Sequence, residues 1–114
     1  MNINNIKDEI KNKYNNMSKE YILNNKNKIS INDAIKYKKF TEDELIQLVG
    51  YMNLKTALVY QNLSLDFIFR YVLNPEYQDE DNERCITMEM VTYYQKYTIF
   101  DLMEYKKNNN ITYV

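Results

Sequence analysis

The chain contains no histidine and no tryptophan, and only one glycine, one proline and one cysteine. Each shortage excludes something. Without histidine, the side chain that most often serves as general base, and the commonest neutral metal ligand, are both missing. A single cysteine, Cys85, has no partner for an internal disulfide. With neither histidine nor a second thiol to work with, it also makes no nucleophilic dyad and no zinc site. It suits a reducing compartment, so the cytoplasm is the expected location. One glycine is too few for a P-loop or a dinucleotide fingerprint. Turns of β-hairpins draw on glycine, whereas helix interiors do without glycine and proline, so the pair of shortages favours an all-α fold. There is no apolar N-terminal segment of the export type and no run of about 18 apolar residues, so neither a leader nor a membrane span is expected. Carboxylate pairs such as Asp43 and Glu44 fall in a first helical turn, where capping accounts for them. Catalysis is not expected, nor is a cofactor or a metal.

What is present fits one folded domain. The chain has 114 residues, and its 45% hydrophobic content is ordinary for a globular protein, so global disorder is not expected. Twelve tyrosines suit positions at the core edge, with rings buried and hydroxyls wet. The net charge of −1 conceals an asymmetry. Residues 1–39 hold nine lysines and four acids, a balance of +5, while residues 40–114 hold six basic and twelve acidic side chains, a balance of −6. One end could face an acidic partner and the other a basic one.

Four tyrosines reveal an internal repeat. Tyr14, Tyr37 and Tyr60 are 23 residues apart, and Tyr94 follows after 34, which is the same period plus an insertion of 11. Three residues after each tyrosine stands an apolar side chain (Met17, Phe40, Leu63, Tyr97), followed by a hydroxyl (Ser18, Thr41, Ser64, Thr98). A serine or threonine there caps a helix by accepting a hydrogen bond from an unpaired backbone N–H. The residue before the cap then packs on the fourth residue after it, which predicts staples Met17–Ile22, Phe40–Leu45, Leu63–Ile68 and Tyr97–Leu102. Thr41 with Glu44 makes a capping box. Ahead of each later tyrosine, Ile31 and Ala34, Leu54 and Ala57, and Met88 and Val91 mark the buried face of a second helix. One such short pair cannot hide its own apolar face, so neighbouring pairs must stack.

The segments LSLDFI at Leu63–Ile68 and VTYYQ at Val91–Gln95, with looser copies ALVYQ at Ala57–Gln61 and MSKEYI at Met17–Ile22, resemble a short helical repeat. That repeat, LSEDFI…YQ, occurs in many copies in phage, prophage and giant-virus proteins. Where that family carries tryptophan, this chain has Ile31, Leu54 and Met88. The resemblance implies an α-helical repeat fold and no catalytic residues.

The expected architecture is a small helical bundle or solenoid of about 3.5 helix-hairpin repeats. Residues 1–15 form a capping helix with Ile3, Ile6, Ile10 and Tyr14 on one face, residues 16–39, 40–62 and 63–96 form the repeats, 97–107 a C-terminal helix, and 108–114 a fraying tail. Gly50 should end the first helix of the second repeat. Phe67, Ile68, Tyr71 and Val72 should anchor the core, and Ile99, Phe100, Leu102, Met103 and Tyr105 should close the stack.

The most unusual local feature is the insertion. Asn74-Pro75 breaks the preceding helix, and a run of acids follows through Glu76, Tyr77, Asp79, Glu80, Asp81 and Glu83. Insertions in repeat proteins map to loops on one face, often the binding face. A solvated surface loop and a contact to a basic partner surface are both consistent with it; Ca²⁺ binding ranks last, because no glycine is available for the loop. The expected function is a non-enzymatic protein-binding module of phage or mobile-element type. Its concrete form is an inhibitor of a host protein with a basic surface, such as a CRISPR-type defence nuclease, with those six residues as the contact. Two alternatives are a helix-turn-helix DNA-binding regulator using Asn53–Gln61, and a structural homo-oligomer.

Overall fold

The computed structural model describes residues 3–114, and side chains from Asn5 onward. Of the expected capping segment, Met1, Asn2 and the side chain of Ile3 therefore lie outside the described residues. Every described element is helical: α1 (Ile3–Asn16), α2 (Lys19–Asn24), α3 (Ile31–Tyr37), α4 (Glu42–Leu48), α5 (Leu54–Tyr60), α6 (Leu65–Phe67) running into a π-helical turn (Ile68–Val72), a 3₁₀ turn (Pro75–Tyr77), α7 (Asp81–Arg84), α8 (Met88–Tyr94) and α9 (Ile99–Asn108).

The helices begin where the hydroxyls dictate. Ser18, Thr41, Ser64 and Thr98 each accept a hydrogen bond from the N–H three residues on, at 3.0, 3.3, 3.0 and 3.2 Å. Thr41 and Thr98 complete reciprocal boxes with Glu44 and Asp101. The second helices are capped in the same register by Ser30, Asn53 and Thr87. All four staple partners, Ile22, Leu45, Ile68 and Leu102, are completely buried. Each contributes about 1.5–3 kcal/mol by leaving water, and truncating any of them to alanine should cost about 2–5 kcal/mol. Ile31, Ala34, Leu54, Ala57 and Val91 are buried as well, while Met88 is half-buried.

Stacking supplies what each short hairpin cannot. The second helices follow one another, α1 on α3, α3 on α5 and α5 on α8, while α2 meets α4 and α9 meets α8. The result is an elongated body of 48 × 29 × 24 Å. Two glutamines tie the layers. Gln61 is 2% exposed. Its Nε2 donates to the carbonyls of Ile35 (2.6 Å) and Lys38 (2.8 Å), and its Oε1 accepts from the Phe40 N–H (3.0 Å). Gln95 repeats the pattern, donating to Leu58 (2.6 Å) and Gln61 (2.8 Å) and accepting from Leu63 N–H (3.1 Å). At the equivalent position Lys38 reaches only the Asn15 carbonyl, 3.3 Å away.

Gly50 adopts φ +91°, just past the C-cap of α4, where Tyr51 and Met52 N–H groups turn back to Leu48 C=O at 2.9 and 3.1 Å. An L side chain rarely adopts that φ, which is why glycine stands there.

The sequence reading is corrected at the far end. Phe100 and Met103 do not close the stack; they are 78% and 55% exposed, and only Leu102 of that set is fully buried. Nor is the tail loose. The Leu73 N–H donates to Ile68 C=O at 2.8 Å, five residues back, so the Phe69 carbonyl loses its α-helical donor. Tyr113 O–H supplies one at 2.5 Å, and the Tyr105 ring stacks on Phe69 with centroids 5.1 Å apart. At the other end Tyr14 is buried and Ile10 half-buried, while Ile6 is exposed.

Candidate partner-binding site

The acidic insertion is folded, which corrects its description as a loop. Pro75 takes the first position of the 3₁₀ turn, where its missing N–H costs nothing, and Asn74 Oδ1 caps the turn by accepting from Glu76 N–H at 3.0 Å. Asn74 Nδ2 and Gln78 Nε2 reach back to the carbonyls of Arg70 and Val72, at 3.0 and 2.8 Å, and so close the preceding helix. Arg84 then wraps the next bend. Its guanidinium donates to the carbonyls of Gln78 (3.2 Å) and Asp79 (2.7 Å) and to Asp81 Oδ1 (2.8 Å).

Glu83 is the residue that locks this segment to the stack, and it does not belong to the surface. It is 3% exposed. Its Oε1 accepts from the Glu80 N–H and its Oε2 from the Leu54 N–H, both at 2.7 Å. The second bond satisfies an unpaired donor at the start of α5, where the helix dipole also favours a carboxylate. Beside it Asn82 Oδ1 accepts from Asn53 Nδ2 at 2.8 Å. An isolated acid run gives no hint of this, because the partner lies 29 residues away.

The other five predicted contact residues remain outside. Glu76, Tyr77, Asp79, Glu80 and Asp81 are exposed along one ridge. Tyr77 rests edge-on against Tyr71, with centroids 4.9 Å apart. Among the described residues, Asp81 is the only acid of the ridge in an ion pair, with Arg84. Glu76 also lies near the tail: burial first, and then the charge of Glu76, holds the Tyr113 phenol above its usual range, so that it stays a donor. Among the described residues, no group of His, Cys, Asp or Glu is arranged to hold a metal ion, and no helix is long and apolar enough to cross a membrane.

The rival site, Asn53–Gln61, forms α5, which packs against α3, the π-turn, α7 and α8. Leu54, Ala57, Leu58 and Gln61 are buried there, and Lys55, its one cation, is half-buried. Residues the sequence reading passed over are the tying glutamines and the second-helix caps. The signal for both was positional: each glutamine follows a register tyrosine, and Ser30, Asn53 and Thr87 recur at the spacing of the repeat.

No protein-family model, no curated protein and no solved structure matches this chain.

Proposed function

We propose that the protein acts by binding another protein rather than by catalysis, and that the insertion ridge meets a basic surface of that partner. One observation carries this reading. Glu83 and Arg84 spend their own charges holding the segment in shape, which leaves Glu76, Asp79 and Glu80 exposed on a fixed backbone. A preorganised charged ridge loses little entropy on docking, and its charge steers encounter with a cationic groove. A nucleic-acid channel of a host nuclease, including the CRISPR type, is a surface of that chemistry. The resemblance of LSLDFI and VTYYQ to phage and prophage repeats supports an inhibitor of a host defence protein. A DNA-reading role for α5 gains no support, since four elements cover that helix.

The test is capture from nuclease-treated host lysate with the wild-type chain and with a Glu76→Lys, Asp79→Lys, Glu80→Lys variant. Glu83 is kept, and circular dichroism checks that the variant is folded. A protein held by the wild type, released by salt and lost from the variant is the expected result. Equal capture by the folded variant would remove the ridge from the account. Recovery of nucleic acid alone from untreated lysate would favour the DNA-binding reading.

A further inference from the structure

Lys39 bridges the two helices of unit two. It stands just before the staple residue Phe40, and its Nζ donates to the carbonyl of Tyr60, the register tyrosine that ends the second helix. Both ends of that contact belong to one unit. The same two positions in unit three are Asn62 and Tyr94. Asparagine is too short to repeat the reach. Among the described residues, the Asn62 side chain makes no hydrogen bond and the Tyr94 carbonyl accepts none. Both residues line a groove of about 540 Å³, together with Glu42, Lys96 and Tyr97.

The charge in this groove favours a cation. Glu42 Oε1 accepts from Ser64 Oγ, and Oε2 has no partner among the described residues. Lys96 is the one cation of the lining, and its Nζ already lies 5.9 Å from the Tyr97 ring centroid, a cation on an aromatic face. Burial first, and then the charges of Glu42 and Asp101, hold the Tyr97 phenol above its usual range, so the acids rather than Lys96 set the charge felt at that ring. The Tyr94 ring, 38% exposed, offers a second aromatic surface, and among the described residues no cation sits over it.

We propose that this groove receives a lysine side chain of a partner protein, whose ammonium donates to the Tyr94 carbonyl and to Glu42 as Lys39 donates to the Tyr60 carbonyl in unit two. The compact ammonium suits one carbonyl beside one carboxylate oxygen. The forked guanidinium of arginine matches a carboxylate through both oxygens, and Ser64 already holds one of them. The groove is larger than a single side chain, so the peptide flanking the lysine lies in it as well, where the free Asn62 amide can meet its backbone. The site shares no residue with the acidic ridge and does not depend on the function proposed for it.

The experiment titrates a capped Ala-Lys-Ala tripeptide into the intact ¹⁵N-labelled protein. Amide shifts should cluster at Asn62–Ser64 and Tyr94–Tyr97. The same tripeptide acetylated on the lysine Nζ has lost its charge and should bind about tenfold more weakly, the value of a hydrogen bond to a charged group. Glu42→Gln, at an exposed position, should weaken the parent tripeptide by up to about fivefold, as for a solvent-exposed ion pair. Asn62→Lys gives unit three the arrangement of unit two, and that protein, its fold checked by circular dichroism, should no longer respond. The variant with lysines on the ridge should bind the tripeptide as the wild type does. No shift at these residues, equal binding of the acetylated tripeptide, or undiminished binding by folded Asn62→Lys overturns the proposal. Tighter binding of Ala-Arg-Ala would overturn the choice of lysine.

Discussion

Units two and three share one register and differ in the connection between their helices. In unit two, residues 49–53 turn the chain from α4 to α5 around Gly50. In unit three, residues 73–87 separate the π-turn from α8. The longer connection is not simply added to the outside. It sends Glu83 back into the stack to cap α5, a helix of the unit before. The start of α5 is consequently tied from three sides: by its own Asn53, by Asn32 Oδ1 of unit one at 2.7 Å from Asn53 N–H, and by Glu83 of unit three. The start of α8 has its own Thr87 alone among side-chain caps in the described residues. An insertion that costs chain entropy thus returns a buried, charge-assisted hydrogen bond, and the ridge it exposes becomes rigid as a by-product.

The largest effect expected from this comparison concerns the two glutamines. Gln61→Leu would leave the Phe40 N–H and the Ile35 and Lys38 carbonyls unpaired in a dry site, each at about 1–3 kcal/mol, so the loss of stability should be about 3 kcal/mol or more. Gln95 makes the same three bonds but is half-buried, and water can replace part of what leucine removes. Gln95→Leu should cost about 1–2 kcal/mol. Urea midpoints of the two variants decide the matter. Equal losses would mean that burial does not set the strength of the tie.

Next in size is the cap supplied by the insertion. Glu83→Gln keeps the shape but leaves one oxygen where two accepted, and it discharges the site at the α5 dipole. The expected cost is about 2 kcal/mol. Hydrogen exchange at the Leu54 and Glu80 amides should accelerate more than exchange in α8. Unchanged protection at Leu54 would show that the insertion rests on α5 without stabilising it.

The residues explain how far the sequence could be read. Hydroxyl caps are local, spanning three residues, and all four predicted ones form because their physics needs no distant partner. The stacked all-helical plan follows from the same spacing. Glu83 was misplaced because its acceptor role depends on a backbone N–H of another unit, which composition cannot reveal. Phe100 and Met103 were misplaced for a related reason: helical spacing shows that side chains share a face, but not whether another layer covers it. The tail fixes itself through a carbonyl left without its helical donor because the helix opens into a π-turn, and no pattern in Ile68–Val72 announces that turn.

The smallest effect concerns the first helices of the same two units. Unit two has Glu44 at the third position after its cap, and unit three has Phe67 there, so only unit two forms the box. The Thr41 N–H donates to Glu44 Oε1 at 2.8 Å, and Lys19 Nζ donates to the same oxygen at 3.2 Å. The backbone bond, assisted by Lys19, holds the Glu44 carboxyl below its ordinary value of 4.5. A carboxyl whose folded pKa is depressed contributes stability that is fully present above the unfolded pKa and is lost as pH falls through the folded one. Glu44→Gln should therefore cost under about 1 kcal/mol near pH 7, since the pair is partly solvent-exposed. The difference from the wild type should shrink as pH drops below the ordinary carboxylate range. Urea unfolding at stepped pH measures the difference. If the Glu44→Gln difference persisted undiminished into acid, packing would be what separates the two helix starts, and the box would carry no charge-dependent part of it.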